Sequence, residues 1–383
     1  MARPRTSLRF RLVLLLVATA VAFGFGEIAI RLLWNDRPIG ELFYQDAQRQ
    51  AAVGLKEGIK RGIVVLVDPA ENPRGRYRWA PDSTFYLCYR DQARLRRDWL
   101  DEQGCVEVRT NHWGLRERDE IAPDNKVDGE QRIVCVGDSF TFGWGIPVEQ
   151  CWVRLLENEL RRTGRNVRTV NCGAAGALVV DEYWWAFQHR FAAFQPDAVI
   201  VTLCLNDLLP SSGLCLIGPK PASTGSHLVD RVRGLFLPSP LDLDPTVDWV
   251  GLLLATPEAD LFAGGLVGHD NPYAAMWSQQ APQGALRQFR DWCAPRGVPF
   301  LVVLWPFLQG LGDGVPYPFA RIHQLVGEFC RAEGIAFLDL LPALRKRRAD
   351  VWWVTPADMH ANPAAHLEAL PVITNFVRKT CGY

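Results

Sequence analysis

The chain has 383 residues, and its 42 Lys and Arg balance its 42 Asp and Glu to a formal net charge of zero. That balance, without zinc-finger spacing or a long basic run in the body, argues against a nucleic-acid binder. Hydrophobic residues make up 48% and charged residues 22%, a composition that builds a core and excludes a disordered chain.

Residues 1–34 differ from the rest. Arg3, Arg5, Arg9 and Arg11 precede the uncharged run LVLLLVATAVAFGFG, followed by EIAIRLLW, apolar except for Glu27 and Arg31. Two readings compete. AVA at Ala20–Ala22 fits the cleavage site of a signal peptide. Alternatively, residues 12–34 form one uncleaved helix, about 34 Å long and enough to span a bilayer. The apolar pattern continues past the cleavage site, so the anchor is the expectation, with Glu27 near the outer interface and Arg31 snorkelling outward. Either way the basic end marks the cytoplasmic side, and the body is exported. Export permits disulfides. Cys88 and Cys105 flank a charged stretch and are placed to close it as a stapled loop. Cys135, Cys172 and Cys204 lie in or just after apolar strand patterns and are expected as buried free thiols.

Residues 35–130 have no long helical period. They are rich in Pro, Gly and Arg, with short strand-like runs such as GIVVLV and CVEVRT. The expectation is a linker and a small β-containing extension. From residue 131 strands and helices alternate. RIVCV, VRTVN and DAVIVTLC read as buried strands, separated by the helical patterns VEQCWVRLLENELRRTG and VVDEYWWAFQHRFAAF. Later come the helix ALRQFRDWCAPRG, the strand VPFLVVLW, the helix IHQLVGEFCRAEG and the strand IAFLDL. The last 20 residues read as a helix that Pro371 should break or kink. Such alternation predicts an α/β fold with a parallel sheet between two helical layers. Between residues 208 and about 280 the rhythm is lost. That span is too long for an ordinary loop and reads as an insertion beside the site.

Open parallel sheets bind ligands at the carboxyl ends of their strands. The first three strands end in GDS (137–139), NCGAAG (171–176) and LND (205–207), and DMHANPAAH near the C-terminus supplies Asp358, His360 and His366. Five residues separate Gly137 from Gly143 and Trp144 follows, so neither a Walker loop nor a dinucleotide fingerprint fits. A serine hydroxyl needs a base, and a histidine base needs an orienting acid. Asp358 and His360 are spaced to be that pair. Backbone N–H groups of Ser139 and Gly173 and the Asn206 amide occupy positions suited to receive negative charge on a substrate oxygen. Asp138 caps the turn and supports the site. His366 reads as structural. Trp144, Trp184, Trp185, Trp352 and Trp353 read as core or rim packing, with Trp144 and Trp353 the two to test for ligand contact.

Taken together, Gly137-Asp138-Ser139, Gly173, Asn206-Asp207 and Asp358/His360 resemble the four blocks of the SGNH (GDSL-type) hydrolase superfamily over residues 131–383. TNHWGLRERD, GDSFTFGWGI and FQPDAVIVTLCLNDL are similar to a membrane-anchored bacterial branch. The resemblance implies a flavodoxin-like three-layer sandwich with Ser139 as nucleophile, His360 as base and Asp358 as its orienter. It places Ser139, Gly173 and Asn206 in the oxyanion hole and implies no metal and no organic cofactor. The last block departs from the usual D-x-x-H, since Ala357 stands three before the histidine; D-x-H occurs in other branches, including alginate-type O-acetyltransferases. Cys204 and Ala365 replace two glycines frequent in the family. The implied function is an ester hydrolase acting outside the cytoplasmic membrane on an acylated small molecule, glycan or lipid. The alternative is an O-acyltransferase that modifies an extracellular polysaccharide. The expected organisation is a membrane segment at 1–34, an extension at 35–130 and a hydrolase domain at 131–383.

Overall fold

The computed structural model describes residues 7–33, 43–44, 52–53, 64–66, 77–89, 97–117, 121–174, 180–208, 224–226, 228–229, 232, 281–317, 319–355 and 358–383. The insertion expected at 208–280 falls almost wholly outside them. The chain divides into two units, one of residues 1–38 and 217–242, the other of residues 39–216 and 243–383.

In the first unit, helix α1 (Leu8–Leu33) starts ahead of the uncharged run. The Ser7 hydroxyl accepts the Phe10 N–H at 3.3 Å, a cap that draws Arg9 and Arg11 into the helix. Its stretch Leu8–Ala29 is apolar and long enough to cross a bilayer, and none of it is buried within the protein. Glu27 carries the one carboxylate of α1. Its Oε2 accepts the Ser226 hydroxyl at 2.8 Å and the Leu228 N–H at 2.9 Å.

The second unit opens with short strands β1 (Phe43–Tyr44), β2 (Ala52–Val53), β3 (Val64–Leu66), β4 (Tyr77–Trp79), β5 (Thr84–Cys88) and β6 (Cys105–Arg109). They form an antiparallel sheet in the order β2-β1-β5-β6 and a separate β3-β4 pair. A disulfide joins Cys88 to Cys105, which face each other across β5 and β6.

The α/β body follows, as β7 (Gln131–Gly137), α2 (Ser139–Phe142), α3 (Trp152–Arg161), β8 (Val167–Gly173), α4 (Val180–His189) and β9 (Ala198–Leu203). It continues with α5 (Ala281–Cys293), β10 (Phe300–Leu304), α6 (Ala320–Ala332), β11 (Ala336–Asp339) and α7 (Leu341–Leu344). The hairpin β12 (Trp353–Thr355) and β13 (Asp358–Ala361) and helix α8 (Pro363–Cys381) complete it. The main sheet is parallel in the order β11-β10-β9-β7-β8. Helices cover both of its faces, with α3 packed on α8 and α4 packed on α5. Double coverage explains the uninterrupted apolar runs: every residue of β9 and β10 is buried. Cys135, Cys172 and Cys204 are buried free thiols within this core.

Pro371 does not end α8, which runs on to Cys381. Pro371 and Leu367 both lie on the exposed side, so the Leu367 carbonyl that loses its N–H partner can face water. Asn362 starts this helix. Its Oδ1 accepts the Ala365 N–H at 3.1 Å, and its Nδ2 donates to the Val351 and Trp353 carbonyls, which ties α8 to the hairpin before it.

The strand order places a reversal between β7 and β9. The chain passes from β7 outward to β8, then returns to the other side of β7. Such a reversal opens a crevice at the carboxyl ends of the strands, and residues 138–139 and 204–208 flank it.

Candidate active site

Ser139 sits where β7 turns sharply into the single-turn helix α2. Asp138 holds the turn: its Oδ1 accepts the Phe140 N–H at 2.9 Å, and its backbone is extended as a cap requires. Gly143 closes the helix with φ of +78°, a left-handed conformation that suits glycine. The Ser139 hydroxyl donates to Asp138 Oδ2 at 3.4 Å.

Gly173 makes this close packing possible. It pairs with Gly137 across β8 and β7, and a Cβ on Gly173 would come within 2.6 Å of Phe142 Cα. Its N–H, expected to face a substrate oxygen, instead donates to Asn171 Oδ1 at 3.0 Å. The glycine is required for backbone approach, and its donor is already engaged. The loop that follows, residues 175–179 with Gly176, lies outside the described residues. Asn206 belongs to the 3₁₀ turn Leu205–Leu208 at the end of β9. Its side chain also lies outside them.

The hairpin explains the short spacing of the last block. On strand β13, residues two apart point to the same face, so Asp358 and His360 meet directly. His360 Nδ1 lies 2.5 Å from Asp358 Oδ1, which also accepts the His360 backbone N–H at 3.1 Å. Asp358 is buried, whereas the His360 side chain is 33% exposed. Burial alone would raise the Asp358 carboxyl, but the charge and hydrogen bond of His360 and the Tyr89 hydroxyl outweigh it and hold the group below its ordinary value. Burial alone would likewise lower His360. The Asp358 charge and hydrogen bond, with Asp138 adding to them, raise it instead. An ionised Asp358 requires a proton on Nδ1 of His360, which leaves Nε2 as the basic atom.

Elements α2 and β13 bring this pair beside the serine turn. The Phe140 ring lies 6.0 Å and the Trp144 ring 5.9 Å from the His360 ring. Among the described residues, no hydrogen bond joins Ser139 to His360. Trp144 is buried against Trp79, 6.5 Å between rings, and so packs rather than faces solvent. Trp184 and Trp352 are buried too, and Trp185 and Trp353 are half-buried. His366 is buried and its Nδ1 accepts the Trp152 N–H at 3.1 Å, capping α3. Burial pushes it down to about 3, so it stays neutral and structural.

Two side chains have roles that the sequence pattern did not assign. Asp207 is fully buried under the crevice. It accepts the Tyr183 hydroxyl at 2.8 Å and the Cys204 N–H at 2.7 Å. Burial and the nearby Asp138 charge raise it well above the carboxylate range. Asp138, also buried, is raised to about 6 by burial, against the Phe140 N–H and His360 that favour its charge. The second is Tyr89 from the extension, whose hydroxyl donates to Asp358 Oδ2 at 2.8 Å.

A family model described as the GDSL-like lipase/acylhydrolase family matches residues 135–367, more than half of the chain. The chain belongs to that family. As a GDSL-like acylhydrolase it is a hydrolase of the SGNH class, with the parallel-sheet fold described above. Solved structures similar to it include a lipase/acylhydrolase from Enterococcus faecalis, at 13% identity, covering 65% of this chain and 96% of that one with a TM-score of 0.37. An acetylxylan esterase from Geobacillus stearothermophilus, in a catalytic mutant form, is 12% identical, with 66% and 94% covered and a TM-score of 0.37. A two-domain esterase active on acetylated mannans is 15% identical, with 67% and 51% covered and a TM-score of 0.37. No curated protein sequence matches the chain significantly.

Proposed function

We propose that this acylhydrolase is a serine-dependent ester hydrolase that works through an acyl-Ser139 intermediate, outside the cytoplasmic membrane and anchored by α1. The observation that carries this reading is the 2.5 Å contact of His360 Nδ1 with buried Asp358, on an element packed beside the Ser139 turn. Rotation of the Ser139 hydroxyl away from Asp138 toward His360 Nε2 sets up the attack. Nε2 takes the hydroxyl proton as Oγ bonds to the ester carbonyl carbon, and the imidazolium then returns a proton to the departing alkoxide. Water activated by the same nitrogen releases the acid and regenerates Ser139. The Ser139 N–H and the Asn206 amide are the proposed donors to the tetrahedral oxyanion. Gly173 enters that set only by giving up Asn171.

The substrate class proposed is an acylated small molecule, glycan or lipid. The domain limits proposed are 1–34 for the membrane segment, 35–130 for the extension and 131–383 for the hydrolase. The test is turnover of p-nitrophenyl acetate by the full chain in detergent, beside Ser139→Ala and His360→Ala. Release of p-nitrophenol that disappears in both variants supports the reading, and equal release by Ser139→Ala overturns it. Adding acetylated and free oligosaccharides to the assay separates hydrolysis from transfer, since only a transferase moves the acetyl group onto sugar in preference to water.

A further inference from the structure

Tyr89 follows the last residue of β5 and lies outside the family-matched residues 135–367. It is 3% exposed, and its partner Asp358 is 269 positions away in sequence. Three features fix its place. The Tyr89 N–H donates to the Gly104 carbonyl at 2.9 Å. The residue before it, Cys88, is tied by the disulfide to Cys105 on the facing strand. Its hydroxyl end fits against Gly145, where an added Cβ would collide with the oxygen.

The two oxygens of Asp358 are thereby divided. Oδ1 takes both N–H groups of His360, and Oδ2 takes the Tyr89 hydroxyl. A carboxylate with one oxygen free can swing about its Cβ–Cγ bond; one held from both sides cannot. We propose that Tyr89 is a positioning residue of the Asp358–His360 pair, and that the N-terminal extension thus completes the active site of the acylhydrolase body. This rests on the reading of His360 as the base. Burial first, and the Asp358 charge second, push the Tyr89 hydroxyl well above its usual range, so it remains a donor at every working pH.

The consequence for His360 has a definite sign. The charged groups facing this cluster are Asp358 on its own strand, Asp138 from the turn after β7 and Arg116 from the extension. All three remain when Tyr89 becomes Phe. Removing the hydroxyl withdraws a donor from Oδ2, leaves more negative charge to act on the imidazolium and raises His360 further. The acid limb of the pH–rate profile therefore moves to higher pH. Because the carboxylate is no longer held, kcat falls by about tenfold while KM stays the same.

The experiment compares the wild-type full chain with Tyr89→Phe, which keeps the ring in its site. It measures kcat and KM across pH with p-nitrophenyl acetate, and follows the His360 ring protons by NMR titration without substrate. A lower kcat, an unchanged KM and an upward shift of both the acid limb and the His360 titration support the proposal. A variant that is only less heat-stable, with kcat per folded molecule and His360 titration unchanged, overturns it and leaves Tyr89 a packing residue. Failure of wild-type turnover would overturn the catalytic reading instead, and the NMR titration distinguishes the two because it needs no substrate.

Discussion

Arg116 provides a sharp test of how the extension supports the Ser139 turn. It is 1% exposed. One guanidinium nitrogen donates to the Phe142 and Gly143 carbonyls, and another donates to the Ile146 carbonyl at 2.5 Å. Its charged carbon lies 4.9 Å from the Phe142 ring. Helix α2 is too short to satisfy its own last carbonyls, so this one side chain takes the place of a next helical turn. Hydrogen bonds from a charged donor contribute about 1.5–3 kcal/mol each. Removing the charge also removes its desolvation cost, several kcal/mol in the opposite direction. The net loss expected for Arg116→Met is about 2–4 kcal/mol, the charged hydrogen bonds lost and carbonyls left unpaired set against the desolvation relieved. Arg116→Lys keeps the charge but cannot fork to three carbonyls, so it should recover less than half of the loss. Urea unfolding of the full chain followed by tryptophan fluorescence measures both, with the loss read from the midpoint at constant slope. A Met variant within about 1 kcal/mol of wild type, or a Lys variant as stable as wild type, would refute the forked-donor account.

Further outcomes follow from the buried carboxylates. Asp358→Asn removes the two larger causes that raise His360 and leaves only the Asp138 charge, so the acid limb of kcat/KM should move to lower pH while kcat falls by about 10³–10⁴; an acid limb that stays in place would contradict the assigned pairing. Asp138 is raised to about 6, so its ionisation destabilises the fold: stability falls as pH rises from the usual carboxylate value to about 6 and is flat beyond. Asp138→Asn keeps the cap on Phe140 and cannot ionise. Its stability relative to wild type should therefore improve over that window by on the order of 2 kcal/mol, as measured by urea midpoints from pH 4 to pH 8. A constant difference across that range would show that Asp138 is not the group responsible.

Much of the body was legible because buried parallel strands are written as unbroken apolar runs, and β7, β8, β9, β10 and β11 fall on RIVCV, VRTVN, DAVIVTLC, VPFLVVLW and IAFLDL. The polar residues that close the first three of these runs drew the eye to Ser139, Gly173 and Asn206 for the same reason. Gly173 shows the limit of that approach. A glycine at a strand end signals close backbone approach, and sequence does not name the approaching atoms, which here belong to Phe142 and Thr141. Tyr89 carried no signal at all. It is one of several aromatics in the extension, and its partner is reached only through the tertiary fold. The hairpin that aligns Asp358 with His360 was hidden because its strands of three and four residues are too short to show a period. Pro371 does not break α8, and the carbonyl it orphans lies on the exposed side, where water can satisfy it.

The most direct measurement is fluorophosphonate labelling of the wild-type full chain, with the modified peptide located by mass spectrometry. The account predicts one phosphonylated residue, Ser139, labelled rapidly in wild type and slowly in His360→Ala, with no labelling in Ser139→Ala. Labelling at another serine, or a folded wild-type chain left unmodified, would contradict the acyl-serine mechanism.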